Sequence, residues 1–360
     1  MDLNKISAKH FLLLILAVTM IAIRSYTSIF IKLGGRDTWI LSIIATLIIS
    51  LYLFILIKIS ISTNTFDLNI IFKKCTNKYI GKILLFLFVL GLFLSSIESA
   101  SVQASSIHTN FFLATPTWFC LLFFIIPSAY LVSRKFNSIL ILSIITTTLT
   151  LIGDIIIIIL VMKYLDLNRL MPILREGKAI NKIICTILLT GSLSSLSISL
   201  PFLKYIDKEK GLSLNSMLAL IIAGFLISTA SAALVSFLGV ERAGSIFYPE
   251  YVECQRVKIA SFLEFGELFY IFRSVCMWFM KYILSFYGIL LLLKDRIKNK
   301  KLFIGIYSVI AFILCNYLTT NQYILFDALR ILQIINIFTF FLVPLIAYIA
   351  YYLNNRPYKK

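Results

Sequence analysis

Residues 182–203 read KIICTILLTGSLSSLSISLPFL. The run is long enough to cross a bilayer, for which an α-helix needs about 20 predominantly apolar residues. Its centre, however, is Gly191-Ser192-Leu193-Ser194-Ser195-Leu196-Ser197-Ile198-Ser199, and Pro201 follows. Serine hydroxyls compete with the helix for backbone partners, and proline has no N–H to give. A membrane helix tolerates such a passage only where the freed groups are taken up by protein, water or a ligand. The stretch therefore reads as a helix that comes apart mid-membrane around a small ligand. The plainer alternative is an intact helix whose serines bond carbonyls one turn back.

Working outward, nine further apolar runs fall at 9–31, 38–59, 82–113, 117–133, 137–163, 213–239, 267–293, 302–320 and 333–353, giving ten spans with 180–203. With 60% hydrophobic residues and a mean hydropathy of +0.96, too little polar surface remains to cover a soluble core. The fold class is thus an all-α polytopic membrane protein, since barrel strands would alternate over about ten residues. The longest loops, 58–81 and 240–266, are too short to hold a core of their own, so residues 1–360 form a single integral membrane domain.

The formal net charge of +18 is explained by loop topology without invoking nucleic acid. Placing the N-terminus inside assigns twenty Lys and Arg to inner segments and eleven to outer ones, so both termini are expected to be cytoplasmic. Trp39 and Trp118 then start spans at the outer interface, where amphipathic rings sit. The six cysteines lie singly, mostly within helices, with Cys254 outside, and the two histidines, His10 and His108, make no metal site. No small-residue cleavage site follows the first run, so it is expected to be retained.

Ten spans divide five and five, and an odd number per half inverts the second half in the membrane. The expected repeats are 9–163 and 180–353, with the first and sixth spans interrupted. The first offers residues 22–28, AIRSYTS, which carry hydroxyl and β-branched residues around Arg24 but no Gly or Pro.

Six ionisable residues lie inside spans: Arg24, Glu98, Asp154, Glu267, Arg273 and Lys281. Three are basic and three acidic, so they can neutralise one another. Glu98 sits near the midplane, where an unpaired charge costs about 2.5–3.5 kcal/mol. Its helix also carries Ser95, Ser96, Ser99, Ser101, Gln103, Ser105 and Ser106, and must face protein or water. All but Lys281 share a depth range on spans one, three, five and eight, which suggests a polar cavity open to the outside; a purely structural ion-pair network is the alternative. There is no nucleophile with an adjacent base, no phosphate loop and nothing that requires a cofactor, so an enzyme is not expected.

Several phrases together resemble the spore germination protein family, the B subunits of Ger-type germinant receptors within the amino acid/polyamine/organocation transporter superfamily. They are Gly35-Arg36-Asp37-Thr38-Trp39, Thr115-Pro116-Thr117-Trp118, Asn168-Arg169-Leu170-Met171-Pro172-Ile173-Leu174, Pro201-Phe202-Leu203, Tyr248-Pro249-Glu250, and Phe265-Gly266-Glu267-Leu268-Phe269 followed by Trp278. The resemblance covers nearly the whole chain. It implies a LeuT-like bundle in the spore inner membrane that senses small nutrients such as amino acids, partnered by a larger A subunit and a lipoprotein C subunit. The chain departs from the family in its first span, which has Arg24 where Gly and Pro are common, and in Phe265, which stands near the place of a basic residue.

The expected function is that of a germinant receptor's membrane subunit, with a transporter acting alone as the alternative and a scaffold subunit as a third reading. The expected ligand contacts are Arg24, Ser25, Tyr26, Glu98, Gln103, Ser194, Ser195, Ser197, Glu267 and Arg273. In that scheme Arg24 engages a carboxylate, Glu98 and Glu267 engage an amino group, and the serines supply hydroxyl and backbone contacts.

Overall fold

The first span is two helices. In the computed structural model, which describes residues 6–175, 177–206, 210–257 and 265–355, α1 (Ala8–Ser25) stops at Tyr26 and α2 (Thr27–Gly34) resumes beyond it. Tyr26 has φ −121° and ψ 44°, outside the helical region. Neither Gly nor Pro makes this break. Thr27 Oγ1 instead donates to the carbonyls of Ile23 (2.8 Å) and Arg24 (2.9 Å), taking up groups at the break, while the Tyr26 ring is held from outside its own helix.

The other spans are α3 (Thr38–Ser62), the short α4 (Leu68–Lys74), α5 (Lys78–Asn110), α6 (Thr117–Ser133), α7 (Phe136–Val161) and α8 (Ala179–Leu193), which continues as a 3₁₀ helix over Ser194–Tyr205. Then come α9 (Leu212–Leu238), the short α10 (Val240–Ser245) and α11 (Pro249–Gln255), α12 (Phe265–Leu292), α13 (Lys300–Thr319), α14 (Gln322–Asn336), a π-helical segment Ile337–Leu342, and α15 (Val343–Asn354). Nine helices among the described residues are long and apolar enough to cross a membrane, and Thr117–Ser133 is a shorter apolar one. Large exposed side chains such as Phe123, Ile126, Ile155, Ile159 and Ile313 form the apolar exterior that lipid would cover.

The serine-rich passage does not open. It changes from α to 3₁₀ winding, and every residue from Ser194 to Leu203 is buried. Runs of 3₁₀ helix beyond three or four residues are uncommon because their hydrogen bonds are poorly aligned; here neighbouring helices support one of twelve residues. Ser195 Oγ donates to Val18 O of α1 at 3.2 Å, and Ser194 Oγ to Gly191 O at 2.6 Å and Asn336 O at 3.2 Å. Ser197 Oγ donates to Phe340 O at 2.6 Å, a carbonyl that Tyr52 also caps at 2.7 Å. Phe340 lies four residues before Pro344, which has no N–H to return to it, so this carbonyl needs partners from elsewhere.

The tenth span differs from its expected start. It runs continuously from Gln322, eleven residues before 333. Asp327 and Arg330 are exposed on its first turns, while Leu325, Phe326 and Leu329 are buried, so the start is amphipathic and escaped a search for apolar runs. Cys254, expected outside, is buried in α11, and all six cysteines are free.

Asp37 ties together two of the phrases that carry the family resemblance. Its carboxylate accepts the Leu174 N–H at 2.9 Å and pairs with Lys182 at 2.7 Å, while Arg36 donates to the Met171 carbonyl. The loop after the fifth span is thereby fastened to the starts of the second and sixth. At the other end of the bundle, Ile6 N–H donates to Tyr205 O at 2.8 Å, joining the beginning of the chain to the end of the 3₁₀ helix.

Candidate functional site

Two buried charge clusters are built around the break in the first span. Arg24, on the last turn of α1, donates to Glu250 Oε1 through Nε (3.1 Å) and Nη2 (2.7 Å), and its Nη1 lies 2.8 Å from Asp154 Oδ1. Arg273 of α12 reaches the same two acids: Nη1 is 2.6 Å from Glu250 Oε1 and 3.2 Å from Asp154 Oδ1, and Nη2 bonds Glu250 Oε2. None of the four residues is more than 3% exposed. Two guanidiniums and two carboxylates leave this cluster neutral, and removing any one strands a charge where water cannot reach it. Burial pushes the Glu250 carboxyl up, but the Arg24 and Arg273 guanidiniums outweigh it and hold it below its usual range.

The second cluster lies at Tyr26 itself. Tyr26 OH donates to Glu98 Oε1 at 2.5 Å, and Lys281 Nζ donates to Glu98 Oε2 at 2.8 Å. Gln333 Nε2 donates to the Tyr26 oxygen at 3.0 Å. The Trp278 ring stacks on Tyr26 with centroids 6.3 Å apart, carries Lys281 Nζ 5.1 Å from its own centroid, and donates Nε1–H to Ser25 Oγ at 3.0 Å. A tyrosine held by an acid, an amide and an indole explains why the helix breaks here.

The residues singled out from the sequence divide accordingly. Arg24 and Arg273 meet in the first cluster, and Ser25, Tyr26 and Glu98 in the second. Gln103 Oε1 accepts Ser274 Oγ–H at 2.8 Å, beside Arg273 in the chain. Ser194, Ser195 and Ser197 are engaged by carbonyls of α8, α1, α14 and the π segment. Glu267 stands apart, half-buried, accepting from Tyr251 OH at 3.2 Å.

The expected pairing of three bases with three acids inside spans is therefore altered: Glu250 takes the place given to Glu267. Lys281, set apart at first because it lies farther along α12, is the direct partner of Glu98. Glu250 and Glu253 carried a signal in the sequence, since Pro249 favours a helix start and acids three apart lie on one face of a turn. Among the described residues no three His, Cys, Asp or Glu side chains are grouped to hold a metal ion.

An all-helical membrane bundle whose first and sixth spans change winding partway, with balanced charge buried at the change, defines a permease-like protein. The fold is similar to a solved structure of the substrate-bound outward-open state of a Na+-coupled sialic acid symporter, with a TM-score of 0.62 and 10% identity, covering 98% of this chain and 89% of that one. At that identity the likeness concerns the fold. No curated protein gives a significant match. The family model described as spore germination protein matches residues 5–324, and the chain belongs to that family.

Proposed function

We propose that this chain is the membrane subunit of a spore nutrient-germinant receptor, binding a small amino-acid-like germinant within the bundle among the first, third, sixth and eighth spans. The observation that carries the reading is the pair of charge clusters at the break of the first span. They hold cations and anions of the kind a zwitterion would match, and all are already paired with one another. A germinant carboxylate would compete with Glu250 for Arg24 and Arg273, and its ammonium would compete with Lys281 for Glu98. Ser25, Tyr26 and Gln103 would line the space between, with the serines of the 3₁₀ helix and Glu267 responding as the helices shift.

Because the ligand replaces internal partners, binding and rearrangement are one event, and the ligand's preference for the rearranged bundle sets the size of the shift. That shift would pass to the A and C subunits at the spore inner membrane, with both termini in the cytoplasm and the loop after the fifth span outside.

Ligand-dependent thermal stabilisation of the detergent-purified protein across a panel of amino acids tests this. The expected result is stabilisation by at least one of them that Glu98→Gln abolishes while the variant remains folded. A folded protein that responds to none would refute binding by this subunit. A second reading, a permease acting alone, is favoured by the buried carboxylate Glu98, which could cycle a proton. Uptake by the purified chain in liposomes would decide for it.

A further inference from the structure

A cavity of about 200 Å³ lies on the far side of Arg24, between α7 and α9 and under α11. At roughly 30 Å³ per water it has room for about six water-sized groups. Its walls are aliphatic, with Ile157, Val161 and Ala233 among them, and the exposed Met162 and Leu167 stand at its mouth. Its polar end is Glu253, only 4% exposed, whose Oε1 has no hydrogen-bond partner. Ser236, 1% exposed, lines the same cavity with an unpartnered Oγ. Two buried acceptors without donors, facing one space, are a site rather than a packing residue, because leaving such groups unpaired costs about 1–3 kcal/mol each.

Charge decides what fits. Arg24 and Arg273 are already balanced by Asp154 and Glu250, so Glu253 is the acid in excess. We propose that this cavity binds a small primary alkylammonium, its N–H groups donating to Glu253 Oε1 and Ser236 Oγ and its short apolar chain lying against the aliphatic wall. The site goes beyond the germinant-binding reading and does not depend on it. Occupation would act on the first cluster through the cavity wall that Arg24 and Glu250 share, giving a second ligand a route to the same network.

The acid responds to pH in the useful range. Burial first, and then neighbouring Glu250, push the Glu253 carboxyl up to about 8 against the pull of Arg24 and Arg273. Asp154 of α7 and Cys254 of α11 complete its titratable surroundings. A protonated Glu253 has no charge to offer an ammonium, so binding strengthens as pH rises through about 8.

The test is the unfolding midpoint of the purified full chain titrated with n-butylammonium chloride at pH 6.5 and 8.5, with sodium chloride at matched ionic strength as control. The expected result is saturable stabilisation, tighter at pH 8.5, weakened at least tenfold by Glu253→Gln and by Ala233→Leu, which fills the cavity. Ala233→Leu keeps the test open should Glu253→Gln not fold. Stabilisation that either folded variant leaves unchanged, an equal response to sodium, or no response in the folded wild type would each overturn the proposal.

Discussion

At the scale of single residues, the most consequential contact is the Lys281–Glu98 pair, 2.8 Å apart with both side chains fully buried. Its weight shows when one partner is removed: breaking a buried pair costs about 3–5 kcal/mol, while replacing both with neutral groups of similar size is often tolerated. Lys281→Met should therefore lower the unfolding midpoint sharply, and Lys281→Met with Glu98→Gln should recover most of the loss. Thermal unfolding in detergent checks this, and a double variant as weak as the single would mean the pair does not act as a unit. The sequence showed that both residues lie within spans. It could not show that they meet, because depth along a helix says nothing about the direction of a side chain. Arg24 illustrates the same limit from the other side: its charge demanded a buried acid, yet one of its two acids, Glu250, came from a loop and not from a span.

At the scale of elements, the first and sixth spans were both marked in the sequence, but for each the mark meant something different from what the backbone does. AIRSYTS has no breaking residue, and the break follows from tertiary anchoring of Tyr26, which no local pattern records. Gly191 to Pro201 is full of breaking signals, and yet the chain stays wound as a 3₁₀ helix, because carbonyls on three other elements accept its serine hydroxyls. The glycine that begins the passage is needed for proximity: a Cβ at Gly191 would lie 2.0 Å from the Gln333 carbonyl oxygen. That atom is backbone and cannot swing aside, so Gly191→Ala must push α8 from α14. Overpacking of this kind costs about 1–3 kcal/mol, and the separation would also loosen the Ser194 bond to Asn336. The midpoint of unfolding should fall accordingly, whereas Gly305→Ala, where an added Cβ meets nothing within 4 Å, should be close to neutral.

For the whole molecule, the first cluster joins four elements that are distant in sequence: α1, α7, α11 and α12. Three are spans, and the fourth, α11, is a seven-residue helix held down by Glu250 and by the close approach of Gly266, whose Cβ position is 2.0 Å from the Cys254 carbonyl oxygen. Under the proposed function, Glu250 is the internal stand-in for a ligand carboxylate. Glu250→Gln keeps the side chain's size and removes its charge, leaving Arg24 and Arg273 with Asp154 alone and the cluster one positive charge in excess. A ligand carboxylate would then relieve an imbalance instead of displacing a competitor. The expected outcome is germination at a lower germinant concentration, by about tenfold for each 1.4 kcal/mol of competition removed, with the subunit's abundance in the membrane checked by immunoblot. A higher required concentration at normal abundance would show that Glu250 supports the binding conformation and does not compete for it, and the carboxylate would then have to be received elsewhere in the bundle.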